Sequence, residues 1–407
     1  MKNLSVAVLY PYTGLPSMDR GAARRLMPLV SLLAGNFSRI TVLSPGAGPF
    51  VRDGVQFIPV TETPSGRLFL ELAFKLYDGV TYHAFNRLDV RGRRQWWNFV
   101  RPVLDSALQR ALVRVSASAD VILLEYPFWS RALAQATARH RKRVVLTLHD
   151  LLSGISQHPW LGRRVHNCEL AAARRAQAVV CVTEKETRQM RDEGVEAIHV
   201  PHGFIFSEQE PKTSKEPDNP AIAEIAGRAR SGELVCFFLG SSLIPNREAA
   251  DNIVVMAREF PPAEKIAFVT AGACCGPGRP SENAYSLGPI SEKDLGILYS
   301  LCSVVLAPLQ SGTGASLKVI EGLSHGKILL TTRAGIRGYD DVICDGHEAM
   351  VCDDLSAWPG LLRRLVADAG LRAALGQRGR EFARRFDYRN AYRPYLDIIA
   401  RLGERAA

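Results

Sequence analysis

Residues 303–332 read SVVLAPLQSGTGASLKVIEGLSHGKILLTT, and the order of residue types spells out a strand, a turn, a helix and a second strand. The apolar run 303–307 has the length and the β-branched content of a buried strand, and it stops at Pro308. A small-residue loop, Ser311-Gly312-Thr313-Gly314, leads into a helix expected over 315–324. Gly326 ends that helix, and 328–332 opens the next strand. Two apolar strands joined by a helix are the building unit of a parallel sheet.

The same unit offers chemistry. Glycines let backbone approach a ligand closely, and a helix N-terminus presents free amides to phosphate oxygens. With a helix starting at 315, Gly314, Lys318 and Glu321 are spaced to share one face, with Leu317 and Ile320 on another. A phosphate at the helix start would reach Lys318, and Glu321 would accept hydroxyl hydrogen bonds from a ribose. The spacing fits equally a solvated Lys318–Glu321 pair worth about 0.3 kcal/mol. Spacing leaves both readings open.

Working outward, short apolar runs alternate with helical stretches. Strands are expected at Ser5–Leu9, 40–43, Val121–Glu125, 144–148, 178–182 and 198–201, with helices at 21–33 and 165–175. A second series has strands at Leu234–Leu239, Ile266–Ala271, 303–307 and 328–332, with helices at 247–258, 292–300 and 315–324. Between the series, 207–220 (SEQEPKTSKEPDNP) holds no apolar residue and reads as a solvated linker. The expected fold is therefore α/β with two Rossmann-like, doubly wound domains, 1–206 and 221–385, facing each other across a cleft.

Composition agrees with this. The 407 residues suit two domains, and 47% hydrophobic with 23% charged content excludes disorder. No apolar stretch approaches the roughly 18–20 residues of a bilayer span, and residues 1–10 lack a signal-peptide cleavage pattern. Eight cysteines without a Cys-x-x-Cys pair suit buried thiols in the cytoplasm, Cys274-Cys275 included, with neither a zinc site nor a disulfide framework. Charge is uneven. Residues 1–200 hold 27 Lys and Arg against 16 Asp and Glu, whereas 201–407 hold 24 against 25. The basic half implies an anionic partner, and since no nucleic-acid module is present, nucleic acid is not expected.

The run from Pro308 to Glu321, continued through Gly326, Thr331-Thr332 and Gly335-Ile336-Arg337-Gly338, resembles the donor-site signature of retaining two-domain (GT-B) glycosyltransferases of family 4, glycosyl transferases group 1. Further matches span nearly the whole chain. Gly14 and Gly21 stand where the family has a Gly-rich first loop, and His149-Asp150 resembles its His-containing segment. Val200-Pro201-His202-Gly203, Phe238-Leu239-Gly240-Ser241 with Pro245-Asn246, and Gly288-Pro289-Ile290 resemble three more family segments.

The resemblance implies transfer from a nucleoside-diphosphate sugar to a hydroxyl of a glycan, lipid-linked or other acceptor, with retention of configuration and no metal or other cofactor. It implies that Glu321 binds ribose and Lys318 the diphosphate. Gly312, Thr313 and the Gly314, Ala315 and Ser316 amides would hold phosphate or sugar, Gly240 and Ser241 would line the donor side, and Ile290 would meet the base. His149, with Asp150, would serve catalysis, Gly14 and Gly21 the acceptor side. Domain 1–206 would bind acceptor and 221–385 donor, and helix 386–407 would return to the first domain. Two departures stand out. Many members carry a glutamate where this chain has Thr313, and an Arg and a Lys after the Gly-Ser step where 242–246 is uncharged.

On the acceptor side, Arg91, Arg93 and Arg94 flank Trp96 and Trp97, a mixture that suits an anionic membrane surface or, equally, a helix with a buried aromatic face. The localisation expected is cytoplasmic, with peripheral docking on the inner membrane face. Two other readings remain: a catalytically inactive sugar-nucleotide-binding partner, suggested by Thr313, and a nucleotide-sugar epimerase on the same fold.

Overall fold

The computed structural model describes residues 3–12, 15, 21–46, 49–61, 63–84, 90–138, 142–152, 158–206 and 216–404. The chain divides into two compact units, Met1–Gly203 with Tyr388–Ala407, and Phe204–Asp387.

The first unit holds eight strands: β1 (Ser5–Leu9), β2 (Arg39–Pro45), β3 (Phe50–Arg52), β4 (Val55–Val60), β5 (Val121–Glu125), β6 (Arg143–Leu148), β7 (Ala178–Cys181) and β8 (Ala197–His199). Their order is β3-β4-β2-β1-β5-β6-β7-β8, parallel except for the antiparallel β3–β4 pair. The order reverses between β1 and β5, the place where open α/β sheets receive ligands. β1 and β5 are continuous apolar runs because helices cover both sheet faces. Tyr392, Tyr395, Ile398 and Ile399, from the end of the chain, are buried in this core. Gly203 makes room for that segment, since a Cβ there would stand 2.7 Å from Tyr388 Cα.

The second unit holds β9 (Leu234–Leu239), β10 (Ile266–Ala271), β11 (Pro277–Ser281), β12 (Ala284–Leu287), β13 (Val304–Ala307), β14 (Ile328–Thr331) and β15 (Met350–Val351), ordered β11-β12-β10-β9-β13-β14-β15. Only β11 runs antiparallel to its neighbour. Both units are thus doubly wound α/β sheets.

Several expected boundaries move. The helix after β13 spans Leu317–Ser324, not 315–324, because Ser316 is in extended backbone as its N-cap. Gly314 and Ala315 therefore precede the helix, and only Lys318 and Glu321 share its face. The helix expected at 247–258 begins earlier, at Ile244, with Pro245 in its first turn, where its missing amide hydrogen costs nothing. The one expected at 165–175 begins at Pro159, capped by His158. The closing helix is broken into Tyr388–Ala391 and Arg393–Glu404 before Pro394. Most of the linker, 207–215, and Gly14 lie outside the described residues.

Candidate active site

The donor-side cluster is built where β9, β10, β12 and β13 end. Gly240 closes β9, and its amide donates to Ala271 O at 2.9 Å, while the Gly272 amide donates to Gly288 O at 2.7 Å. A Cβ on Gly272 would lie 2.2 Å from Gly240 O, so backbone packs on backbone here. Beyond β13, the signature threonines are structural. Thr331 Oγ1 donates to Ala307 O at 3.2 Å, and Thr332 Oγ1 donates to Leu309 O. These bonds fix the exit of β13 and hence the loop that follows.

That loop carries Gly312 at φ 155° and Gly314 at φ 63°. Arg337 lies against it: Nε donates to Thr313 O at 3.0 Å, and its backbone carbonyl accepts from the Ser316 amide at 3.1 Å. At φ 155° Gly312 holds a backbone conformation that L side chains rarely adopt, and a Cβ there would also sit 2.5 Å from Arg337 Cζ. Ser311, Gly312 and Thr313 are exposed, whereas Ala315 and Ser316 are buried. Ser316 Oγ is buried without a hydrogen-bond partner. At a helix start, where the first amides have no partner within the helix, that hydroxyl is available for an anion.

Lys318, one turn in, is half-buried. Its Nζ donates to Asn246 Oδ1 at 2.7 Å and lies 4.8 Å from the Phe238 ring centre, and Asn246 Nδ2 donates to Ser241 Oγ at 2.9 Å. Burial pushes its ammonium down to about 7, with Arg337 adding to the effect and Cys274 and Glu321 opposing it. Glu321 is 7% exposed, and Gly322 beside it packs on Val305 so closely that a Cβ would stand 3.0 Å away. Ile290 is half-buried just beyond Gly288. The structure thus gathers Gly240, Ser241, Lys318 and Glu321 at the carboxyl end of the second unit's sheet, and adds Asn246 and Arg337. Asn246 stands in a segment matching the family and Arg337 in Gly-Ile-Arg-Gly, but neither spacing shows that its side chain turns toward this loop.

The first unit has its own polar cluster. His149 follows β6 and is buried; its Nε2 pairs with Glu125 Oε2 at the end of β5. Glu125 Oε1 accepts from Thr147 Oγ1 at 3.0 Å, and Thr147 Oγ1 is 2.9 Å from Tyr395 Oη. In the neutral ring, the Nε2 hydrogen goes to the carboxylate, leaving Nδ1 as a lone pair that is buried without a partner. Tyr126 (4.4 Å) and His202 (5.3 Å) flank the imidazole, and Tyr126 holds φ 69°, unusual for a non-glycine. His202 is kept neutral, well below the usual range, by burial and by Arg25, His149 and His199. Glu125 had no sequence signal beyond its place at a strand end.

Asp150 is half-buried and raises the neighbouring Glu186 carboxyl, which burial already pushes up, to about 7. Gly21 opens the helix Gly21–Asn36. A concavity of about 290 Å³ lies at the ends of β1, β2 and β4, lined among others by Tyr12, Asn98, Arg101, Phe128 and Trp129. Tyr12 packs edge-on against Tyr126 at 4.8 Å, which joins this concavity to the His149 cluster.

The expected Arg/Trp membrane face is corrected. Trp97 is 8% exposed, with its ring 4.9 Å from Tyr77 and 5.4 Å from Phe74, while Trp96 meets Trp160 at 5.2 Å. Arg93 is buried and paired with Asp78 at 3.2 Å. Their helix, Val90–Leu104, spends its aromatic face on packing, so these side chains cannot meet a bilayer together. Among the described residues no helix is long and apolar enough to cross a membrane.

Residues 20–201 match the glycosyl transferase 4-like domain, and residues 256–397 match the glycosyl transferase-like family. The chain belongs to the group 1, family 4-like glycosyltransferases. The glycosyltransferase resembles in structure the Anabaena protein HepE, solved in complex with UDP-glucose, at 15% identity and a TM-score of 0.68, covering 98% of this chain and 100% of HepE. It also resembles sucrose-phosphate synthase from Thermosynechococcus elongatus (15% identity, TM-score 0.72, all of both chains). A third likeness is to WaaG, a glycosyltransferase involved in lipopolysaccharide biosynthesis (15%, 0.64, 97% and 99%). At these identities the likenesses show the GT-B fold, two Rossmann-like domains, and no more. No curated protein matches the glycosyltransferase.

Proposed function

We propose that this glycosyltransferase takes a sugar from a nucleoside-diphosphate sugar and passes it, with retention of configuration and without a metal ion, to a hydroxyl acceptor. The observation that carries the reading is the start of the helix Leu317–Ser324. There an unpartnered buried hydroxyl (Ser316), the amides of the first helical residues Leu317 and Lys318, and the Lys318 ammonium precede a buried carboxylate (Glu321), whereas the Ser316 and Val319 amides are taken by Arg337 O and Ser316 O. These groups suit, in order, a pyrophosphate and a ribose. Uridine is the base of first choice, since HepE was solved with UDP-glucose.

The chemistry follows from the groups. The bond between the anomeric carbon and the diphosphate oxygen breaks, and charge grows on that oxygen. Lys318 and the helix amides stabilise it, while Arg337 holds the loop in place. The acceptor hydroxyl attacks from the face the diphosphate leaves, passing its proton to a diphosphate oxygen as the new carbon–oxygen bond forms. Two cations at the loop, Lys318 and Arg337, take the role a divalent ion would otherwise fill. In the first unit, His149, oriented by Glu125, serves the transferring sugar or the acceptor hydroxyl, and the concavity beside Tyr12 takes the acceptor.

The test is a panel of uridine, guanosine and adenosine diphosphate sugars assayed for transfer or slow hydrolysis, in buffer with a chelator. Release of one nucleoside diphosphate with an unchanged anomer supports the reading. Inversion of the anomer, or activity only with added metal, contradicts it. Binding without turnover would indicate an inactive partner, and conversion of the sugar without release an epimerase.

A further inference from the structure

The concavity at the carboxyl ends of β1, β2 and β4 has a lining that says what kind of molecule fills it. At about 290 Å³ it lies near the lower limit of the roughly 300–1,000 Å³ of small-molecule sites, room for one ring and not for a chain. Pro11, Pro45, Phe128 and Trp129 give it apolar walls. Beside them stand three polar groups that the protein leaves uncommitted. Tyr12 Oη and the Asn98 side-chain amide have no hydrogen-bond partner among the described residues, and Asp105 uses only Oδ1, which accepts from the Leu108 amide at 3.0 Å. Asp105 is buried, so its second oxygen calls for a donor that the protein does not supply.

Charge decides between acceptor classes. A phosphate is met by clustered cations or by free amides at a helix start. The one cation in the described lining, Arg101, is exposed and has a protein contact of its own, and Asp105 offsets its charge. The helix that starts at the cavity, Ser106–Ala117, is closed by Asp105 itself as the N-cap. A carboxylate in that place repels an anion. A sugar hydroxyl, by contrast, donates to a carboxylate and both donates to and accepts from an amide or a phenol, while the C–H faces of the ring pack on aromatic and proline walls. On the reading that the acceptor enters here, we propose that the concavity binds an uncharged sugar ring, with Tyr12, Asn98 and Asp105 holding its hydroxyls. The acceptor then ends in a neutral saccharide and not in a phosphorylated group.

The experiment measures binding of free glucose, galactose, mannose and N-acetylglucosamine to the full chain by saturation-transfer NMR, without any nucleotide. At least one of them should bind in the millimolar range, and the 6-phosphate of that sugar should bind at least tenfold more weakly. Asp105→Asn keeps the N-cap, because Asn caps as well as Asp, but puts an amide in place of the free oxygen; it should weaken binding about tenfold. Tyr12→Phe keeps the ring against Tyr126 and should weaken binding about threefold. Both variants should retain the thermal midpoint of the wild type. No binding of any neutral sugar up to about 100 mM would overturn the proposal. So would tighter binding of the phosphate, or sugar binding that neither variant changes. A sugar that binds here yet receives nothing from any donor would support the cavity's assignment and count against sugar transfer.

Discussion

His149 Nε2 is paired with Glu125 Oε2, and the other oxygen of that carboxylate is held by Thr147, whose hydroxyl also touches Tyr395 from the end of the chain. One carboxylate thereby fixes the imidazole tautomer and ties it to the last helix.

Glu125→Gln should keep the fold, since an amide oxygen can still accept from Thr147, but it no longer holds the imidazole as an acceptor. Turnover should fall about 10²-fold. The ¹⁵N resonances of His149 should change from one defined tautomer to a mixture. A rate loss with unaltered resonances would refute the positioning role. Tyr395→Phe should cost only about 1 kcal/mol of stability by denaturant titration, because Thr147 retains Glu125 as a partner.

Lys318 makes donor binding depend on pH. Its ammonium is held at about 7 before ligand arrives. Below that pH it is charged and ready for a diphosphate. As pH rises through 7 it loses its proton, so affinity should fall towards tenfold per unit, and binding above pH 7 should take up protons. Calorimetry in buffers of different ionisation enthalpy reads this directly. A flat affinity between pH 6 and about 9 would remove Lys318 from the diphosphate site.

Gly312 should not tolerate a side chain. Gly312→Ala would press on Arg337 and strain a backbone at φ 155°, costing on the order of 1–3 kcal/mol and weakening donor binding. Gly276→Ala, with no atom within 4 Å of the added Cβ, is the control that should do neither. Equal effects from both would mean that Arg337 does not shape the loop.

The parts legible in the sequence were those whose pattern is set by burial on both faces. β1, β5, β9 and β10 are continuous apolar runs whose limits follow from the residues alone. β11, PGRPS, has no β-forming residue and exists only because β12 offers an edge to pair with. The Leu317 start was hidden because Ala315 and Ser316 suit helix or cap equally. Glu125 and Arg337 act through three-dimensional neighbours far apart in sequence, so no spacing rule finds them. Trp96 and Trp97 show the converse: their partners Phe74, Tyr77 and Trp160 lie on two other helices, and the local pattern of rings and arginines could not reveal that.

Glu186, raised to about 7 mainly by burial and by Asp150, predicts a stability slope. Between about pH 4.5 and 7 the unfolded chain ionises this group while the folded one keeps it protonated, so stability falls as pH rises. Glu186→Gln should remove that share, on the order of 3 kcal/mol at most, from the pH dependence of unfolding. An identical slope in both proteins would show that Glu186 is ionised in the fold.

The central claim, that the turn before Leu317 seats a nucleoside diphosphate with Lys318 and Glu321 behind it, is tested most directly by thermal-shift titration with uridine, guanosine and adenosine diphosphate sugars. One base should raise the melting temperature of the wild type, and Glu321→Ala should abolish that rise. A mutant stabilised as much as the wild type would contradict the assignment.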